Sequence, residues 1–399
     1  MINISQDRKR LQEGFKIYTW TKITTRSIGL WPLTPNHYLF DVCIFYLTVI
    51  MLLQCTYLYK SLKDVDKFID ILTENIAFVY IYMTMVMLRV NNRQLGRVIV
   101  QVVTDYNIND FRDSDEIDVF MQFINRARLL MKGLIIYYGT IEVLWYLLPL
   151  MDFCKYISDN MMDENNKTMF VLPYEVWLFY EIDSKPSYYF TYLLLLPVPF
   201  IVLVANMATD CCLIFLVFYI SGKMAVLTMR IDALKNHPHN CRNELGKIIA
   251  EHGKLLGMGD EVRNAYSLLL LVYFLVVNFI LCILGYQILI SFMTNNMVEV
   301  VQYIIYFIEI YFMLGLYCMI SEHLTSESLK CGEAFYQCHW YNFPVDCSKN
   351  IILSIARSQK PLGLKAGKFT TFSSVTLTDV SKTAAGYLSV LRNFMIVDD

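Results

Sequence analysis

Apolar residues in this chain gather into long runs rather than the ~3.6-residue stripes of surface helices. Six runs, near 38–58, 68–88, 129–151, 188–219, 265–292 and 300–322, approach the ~20 residues a helix needs to cross a bilayer core. A seventh stretch of that length, 368–394, is crowded with Thr, Ser, Asp, Lys, Arg and Asn. Backbone polar groups in lipid must be satisfied within each segment, and no alternating barrel pattern is visible, so the crossings are expected to be helices. The predicted fold class is all-α: a polytopic membrane protein with seven transmembrane helices.

The connectors carry patterns of their own. Residues 91–128 are amphipathic around Val98, Ile99, Val102 and Val103, and 222–258 alternates apolar residues with Lys223, Arg230, Lys235, Arg242, Lys247 and Lys254. Both are expected to continue as helices beyond the membrane and to pack against each other. Turn chemistry at Asn236-His237-Pro238-His239-Asn240 interrupts the second. Two histidines without matching Cys or carboxylate neighbours do not make a metal site, and none is assigned. Pro197 and Pro199 remove two backbone donors from the fourth crossing and should kink it. Pro361 and Gly363 separate a short apolar helix, 350–357, from the final segment. The expected organisation is an N-terminal segment at 1–36, helices one to six with their extensions at 37–326, anchor helices at 327–363, and the seventh helix with a short tail at 364–399.

Composition agrees with a membrane protein: 56% of the 399 residues are hydrophobic and only 18% charged. Charge distribution sets the orientation. Of 34 Lys and Arg residues, 26 fall in 1–36, 89–132, 223–263 and 330–368, whereas the alternate loops hold only Lys60, Lys63, Lys67, Lys155, Lys167 and Lys185. The positive-inside rule then places the N-terminus and the anchor helices in the cytosol and the C-terminus outside. No cleavable signal peptide is expected, because residues 1–36 are basic and lack an apolar core ending in a cleavage site. The acidic loop 152–187 contains Asn166-Lys167-Thr168, a glycosylation acceptor on the predicted exterior side; Asn3-Ile4-Ser5 falls in the cytosolic tail and is discounted. Of eleven cysteines only Cys154 maps to an exterior loop, so no structural disulfide is expected.

No phosphate loop, His-Glu-x-x-His or nucleophile elbow occurs, so the chain is not expected to be an enzyme, to carry a cofactor or to bind nucleic acid. Asp41, Glu142, Asp210 and Glu309 interrupt the apolar runs. Asp41 and Asp210 lie near segment ends, where water or headgroups are expected to solvate them. Glu142 lies deep in its run, with Tyr138 four residues before and Trp145 three after, so the three should share one helical face. With Tyr80 and Tyr82 from the second crossing, Tyr192 and Leu196 from the fourth, and Tyr303 and Tyr306 from the sixth, they could wall a site for a small, mostly apolar ligand. The same residue types also serve as interface anchors in membrane helices.

The final segment differs in kind. Asp379, Lys382, Gly386, Ser389 and Asn393 recur at alternating steps of three and four, one polar stripe on a helix whose remainder holds Leu377, Val380, Ala384, Tyr387, Leu388 and Leu391. A central Asp or Lys costs about 2.5–3.5 kcal/mol in lipid, so the stripe needs water or a polar partner. Several copies arranged around an axis would provide it.

"RSQKPLGLKAGKF" at 357–369 followed by "LSVLRNF" at 388–394 closely resembles the C-terminal signature of insect odorant receptors. "CGEAFYQCHWY" at 331–341 and "GLWP" at 29–32 also resemble that family. The resemblance implies a ligand-gated, non-selective cation channel in the plasma membrane of a sensory dendrite, assembled as a heterotetramer with a common co-receptor. It implies that the last helix lines the pore, with Val390 at the gate and Asn393 at the outer constriction. It further implies that an odorant binds among crossings two, three, four and six, and that the cytosolic helices anchor the subunits together. The linker at 222–263 is short where the co-receptor has an insertion, which points to a tuning subunit; Arg392 is unusual for a pore helix and leaves ion selectivity open. Two alternatives are a gustatory-type receptor, whose ending "GYLSVLRNF" fits loosely, and a seven-helix G-protein-coupled receptor, whose Asp-Arg-Tyr and Asn-Pro-x-x-Tyr motifs are not found.

Overall fold

The computed structural model describes residues 4–106, 110–158, 170–180, 182, 184–234 and 241–397, with the side chains of 4–6, 65, 66, 151–158, 241, 298 and 390–397 outside the description. Asn166, His237 and His239 lie outside the described residues. In chain order the helices are α1 (Ile4–Gly14), α2 (Lys16–Ser27), α3 (His37–Lys60), α4 (Val65–Val90), α5 (Asn92–Asp105), α6 (Ser114–Ser158), α7 (Lys185–Leu195), α8 (Pro197–Ala233), α9 (Cys241–Met293), α10 (Met297–Gln337), α11 (Val345–Ser358) and α12 (Ser374–Val397). A two-stranded hairpin, β1 (Lys365–Ala366) and β2 (Thr370–Thr371), precedes α12. The six runs predicted from hydropathy correspond to six helical stretches long and apolar enough to cross a membrane, and α12 adds a seventh long helix of 24 residues.

The chain forms two compact units, one of residues 1–20, 90–129 and 212–399, the other of 21–89 and 130–211. In the larger unit, α9 is the central element, and α5 packs beside it as the amphipathic pattern predicts. Val98, Ile99 and Val102 are fully buried, while Val103 stays largely exposed. Asn91 Nδ2 and Gln94 Nε2 donate to the carbonyls of Ala265 and Glu261, each at 3.0 Å.

A buried ion network ties α6, α8 and α9 together. The Arg230 guanidinium donates to both carboxylate oxygens of Glu116, at 2.9 and 2.7 Å, to Glu251 at 2.6 Å and to the carbonyl of Asp110 at 2.5 Å. Such planar, bidentate matching to carboxylate is what arginine supplies and lysine does not. Lys223, also buried, sets its ammonium 4.5 Å from the Phe111 ring centroid and 4.0 Å from Asp110.

The breaker motif folds into something more specific than a linker. The apolar helix expected at 350–357 is α11, five residues longer at its start. Beyond it the chain enters the hairpin, so α12 begins at Ser374 rather than Lys368. The reason is local: Gly367 turns at φ +59°, a left-handed conformation suited to glycine, and donates its N–H to the carbonyl of Ser267 at 3.0 Å. Serine hydroxyls from α10 satisfy the backbone on the way, Ser328 accepting from Leu362 N–H at 3.2 Å and Ser321 from Leu364 N–H at 3.0 Å. Leu362, Leu364, Ala366 and Phe372 are buried, and Phe372 meets the rings of Phe274 and Tyr317 edge-on. The motif thus plugs α12 into the groove between α9 and α10.

In the smaller unit, Gly29 sits at φ +74° after α2. Its carbonyl accepts from Asn36 N–H at 3.1 Å, and the Asn36 side chain caps α3 by accepting from Leu39 N–H at 3.2 Å. Ile28, Leu30 and Trp31 beside it are buried. The "GLWP" stretch is therefore a turn that fixes how α3 starts. The kink expected from Pro197 and Pro199 is a break: α7 stops at Leu195 and Pro197 opens α8 as its first residue.

Candidate functional site

α12 carries two faces. Thr376, Val380 and Ala384 are buried, whereas Asp379, Lys382, Gly386 and Ser389 are exposed in the protomer. The apolar and small face is fastened at intervals along its length. Ser374 donates to Glu322 at 2.5 Å, the Tyr311 and Ser381 hydroxyls are 2.9 Å apart, and Leu388 packs directly on Gly285 of α9, where a Cβ would fall 2.4 Å from Leu388 Cδ2. Asp379, Lys382 and Gly386 thus lie on the side of the helix away from its own fold, and Ser389 at the edge of that side. The side chains of Val390 and Asn393 lie outside the described residues.

The predicted ligand-site residues divide between the units. Tyr80, Tyr82, Tyr138, Glu142, Trp145, Tyr192 and Leu196 belong to the smaller one, and Tyr303 and Tyr306 to the larger, half-buried on α10. Within the smaller unit, Tyr146 and Tyr192 are the centre of an aromatic cluster. Their rings are 4.7 Å apart, the Tyr146 hydroxyl donates to the Tyr192 carbonyl at 2.6 Å, and the Tyr192 hydroxyl returns a bond to the Tyr146 carbonyl. The Tyr188 ring lies tilted beside Tyr192 at 5.6 Å, and its hydroxyl donates to the carbonyl of Val171 at 2.9 Å.

Residues 170–180 fold over this cluster. Tyr174 is buried edge-on against Phe78, at 5.5 Å. Burial pushes its phenol well above the ordinary range, and the carboxylates of Glu142 and Glu74 push in the same direction. Trp177 donates its backbone N–H to Leu53, and the Lys60 ammonium lies 4.0 Å over its ring. The Glu175 carboxyl is also raised, first by burial, against the pull of Lys67 and a hydrogen bond from Tyr57. Its backbone N–H donates to Glu74 at 3.3 Å, and Glu74 receives a second bond from Gln54 Nε2 at 2.8 Å. The result is a mostly aromatic wall with a few carboxylates and hydroxyls, a composition suited to small ligands with one polar group.

Asp210 corrects the expectation that it would be solvated near a segment end. It is only 3% exposed and accepts a hydrogen bond from the Tyr138 hydroxyl at 2.5 Å. The helix continues for 23 residues past Asp210, so this position is an interior one. Tyr138→Phe removes a buried hydrogen bond and should destabilise the protein by about 1–3 kcal/mol. Thermal unfolding of the detergent-solubilised chain is the measurement; an unchanged melting curve would show that the bond contributes nothing.

Trp145 is half-exposed, and the inward position on α6 falls to Tyr146, at four residues from Glu142 and eight from Tyr138. That spacing was present in the sequence beside Trp145. Tyr188 lies four residues before Tyr192 on the buried face of α7, whereas Tyr174 carries no comparable periodic signal because it comes from a connector. Among the described residues no group of three or more metal-ligating side chains converges.

Comparison with known proteins adds an independent line. The family model of the 7tm odorant receptors matches residues 64–385. Putative odorant receptor 85d of Drosophila melanogaster is 26% identical over 230 residues, 57% of this chain and 55% of that relative. Odorant receptor 67c of the same fly is 28% identical over 200 residues, covering 47% and 46%. The chain thus spans about half the length of these curated relatives. The insect olfactory receptor OR5 from Machilis hrabei, solved in complex with eugenol, superimposes with a TM-score of 0.74 over 97% of this chain and 98% of that one at 16% identity, which shows a shared fold. With a receptor-family model spanning most of its length and helices able to cross a membrane several times, this multi-pass membrane protein belongs to the insect odorant receptor family.

Proposed function

We propose that the chain is the odorant-binding, tuning subunit of a ligand-gated, non-selective cation channel of the plasma membrane, with its N-terminus in the cytosol and its C-terminus outside. It works in a heterotetramer with the family's co-receptor. The observation that carries this reading is the exposed polar stripe of α12 opposite a buried apolar face. A helix built this way is stable in a membrane only where its polar side meets water or other polar helices. Four such helices around an axis would enclose a conducting path, with Val390 as the gate and Asn393 at the outer constriction.

The ligand is a small, mostly apolar molecule seated against the aromatic wall of the smaller unit, which holds Tyr80, Tyr82, Glu142 and Tyr192. To open the channel it must bind the open state more tightly than the closed one. Expression of the full chain with and without the co-receptor, with recording of currents over a broad odorant panel, tests the proposal. Odorant-evoked cation current only when both are present is expected. Silence despite demonstrated surface expression would overturn it.

A further inference from the structure

A hollow of about 400 Å³, open on one side, lies within the larger unit between α9, α10 and α12. Gly285, Ile288 and Leu289 supply one wall, Ile304 and Phe307 the second, and Leu388 with Ser389 the third. Its floor is the buried Gly285, whose missing side chain lets Leu388 approach α9. Its rim lies at the exposed Ile304 and Ser389. Ser389 brings the one polar side chain to an otherwise hydrocarbon lining.

The cavity shares no residue with the proposed odorant wall. Ile304 and Phe307 are one residue beyond Tyr303 and Tyr306, so on α10 they form the adjacent row of side chains, turned toward α12. The volume falls within the 300–1,000 Å³ typical of small-molecule sites. An apolar space of this size leaves the atoms lining it without packing partners, and water finds too few polar groups there to replace them. A hydrocarbon chain satisfies both conditions, with room for one hydroxyl or ester at Ser389.

We propose that this cavity is a second ligand site, occupied by a flexible hydrocarbon chain, and that the occupant bears on Leu388 and so on the position of α12. Occupancy stands on the cavity alone; its effect on current rests on α12 being the pore helix. Two sources share the chemistry, the acyl chain of a membrane lipid and a free long-chain alcohol.

The full chain, assembled with its co-receptor in nanodiscs, is photolabelled in two arms. One arm uses phosphatidylcholine bearing a diazirine near the end of an acyl chain, the other a free diazirine-bearing decanol. Labelled residues are identified by mass spectrometry. Labelling of Ile288 or Leu388 in either arm supports the site, and the arm in which it occurs identifies the source. Ile304→Trp fills the rim, and Leu289→Trp fills the α9 wall; either should abolish labelling at Ile288 and Leu388 while the complex still elutes intact. Failure of both probes to label them, or labelling that persists in both filled variants, overturns the proposal. Odorant-evoked current from Ile304→Trp then reports separately on α12: a shifted dose-response with labelling lost supports the coupling, and an unshifted one with labelling lost confines the site to binding without gating.

Discussion

Arg230→Met is expected to destabilise the protein by about 3–5 kcal/mol, the cost of leaving the buried Glu116 carboxylate without its cation. Arg230 is 9% exposed, and the oxygens it serves on Glu116 and Glu251 come from helices far apart in sequence. Removing the guanidinium deletes four hydrogen bonds at once. Methionine keeps much of the volume, so the loss is electrostatic rather than a cavity. The comparison is Arg97→Met, which breaks an ion pair with Glu261 from a side chain 61% exposed; screening by solvent limits that loss to less than about 1 kcal/mol. Thermal unfolding of the two solubilised variants separates the cases. Equal melting temperatures would mean that the network does not hold α6, α8 and α9 together.

Gly29→Ala should be the most damaging of the small-residue changes. At φ +74° an L side chain costs about 1–2 kcal/mol in backbone strain alone. In addition, the new Cβ would stand 2.4 Å from the carbonyl oxygen of Asn36 and 2.8 Å from the backbone nitrogen of Phe40. Neither atom can rotate away as a side-chain tip could, so the turn must open and the cap on α3 is lost with it. Gly139→Ala is the matched control, a helical glycine with nothing within 4 Å of its would-be Cβ; it should be neutral or stabilising by up to about 1 kcal/mol. Surface expression and melting temperature of the two variants give the answer. If Gly29→Ala behaves like Gly139→Ala, the stretch is not a constrained turn.

These cases show what was legible in the chain and what was not. Hydropathy located the six apolar helices because a bilayer demands long uninterrupted runs, and the step pattern from Asp379 to Ser389 follows residues exposed on α12. The ends of elements were less accessible. Nothing in the period of 368–394 distinguishes its first six residues from helix; their course is set by Gly367 and by the Ser321 and Ser328 hydroxyls, which are remote in sequence. Likewise the Tyr138–Asp210 bond joins residues 72 apart. The aromatic cluster was partly visible: Tyr192 follows from its position in its run, whereas Tyr174 enters from a connector with no periodicity. Partners contributed across the fold are what a single helix's pattern does not encode.

The central claim is that the polar stripe of α12 faces water in the assembled receptor. Single cysteines at Asp379, Lys382, Gly386 and Ser389, and at the buried Val380 and Ala384, should be introduced into the full chain expressed with its co-receptor. A charged thiol reagent is then applied during odorant-evoked current. The stripe positions are expected to react and alter the current, while Val380→Cys and Ala384→Cys conduct but do not react. Reaction confined to 380 and 384, or equal at all six positions, would contradict a pore built on this helix.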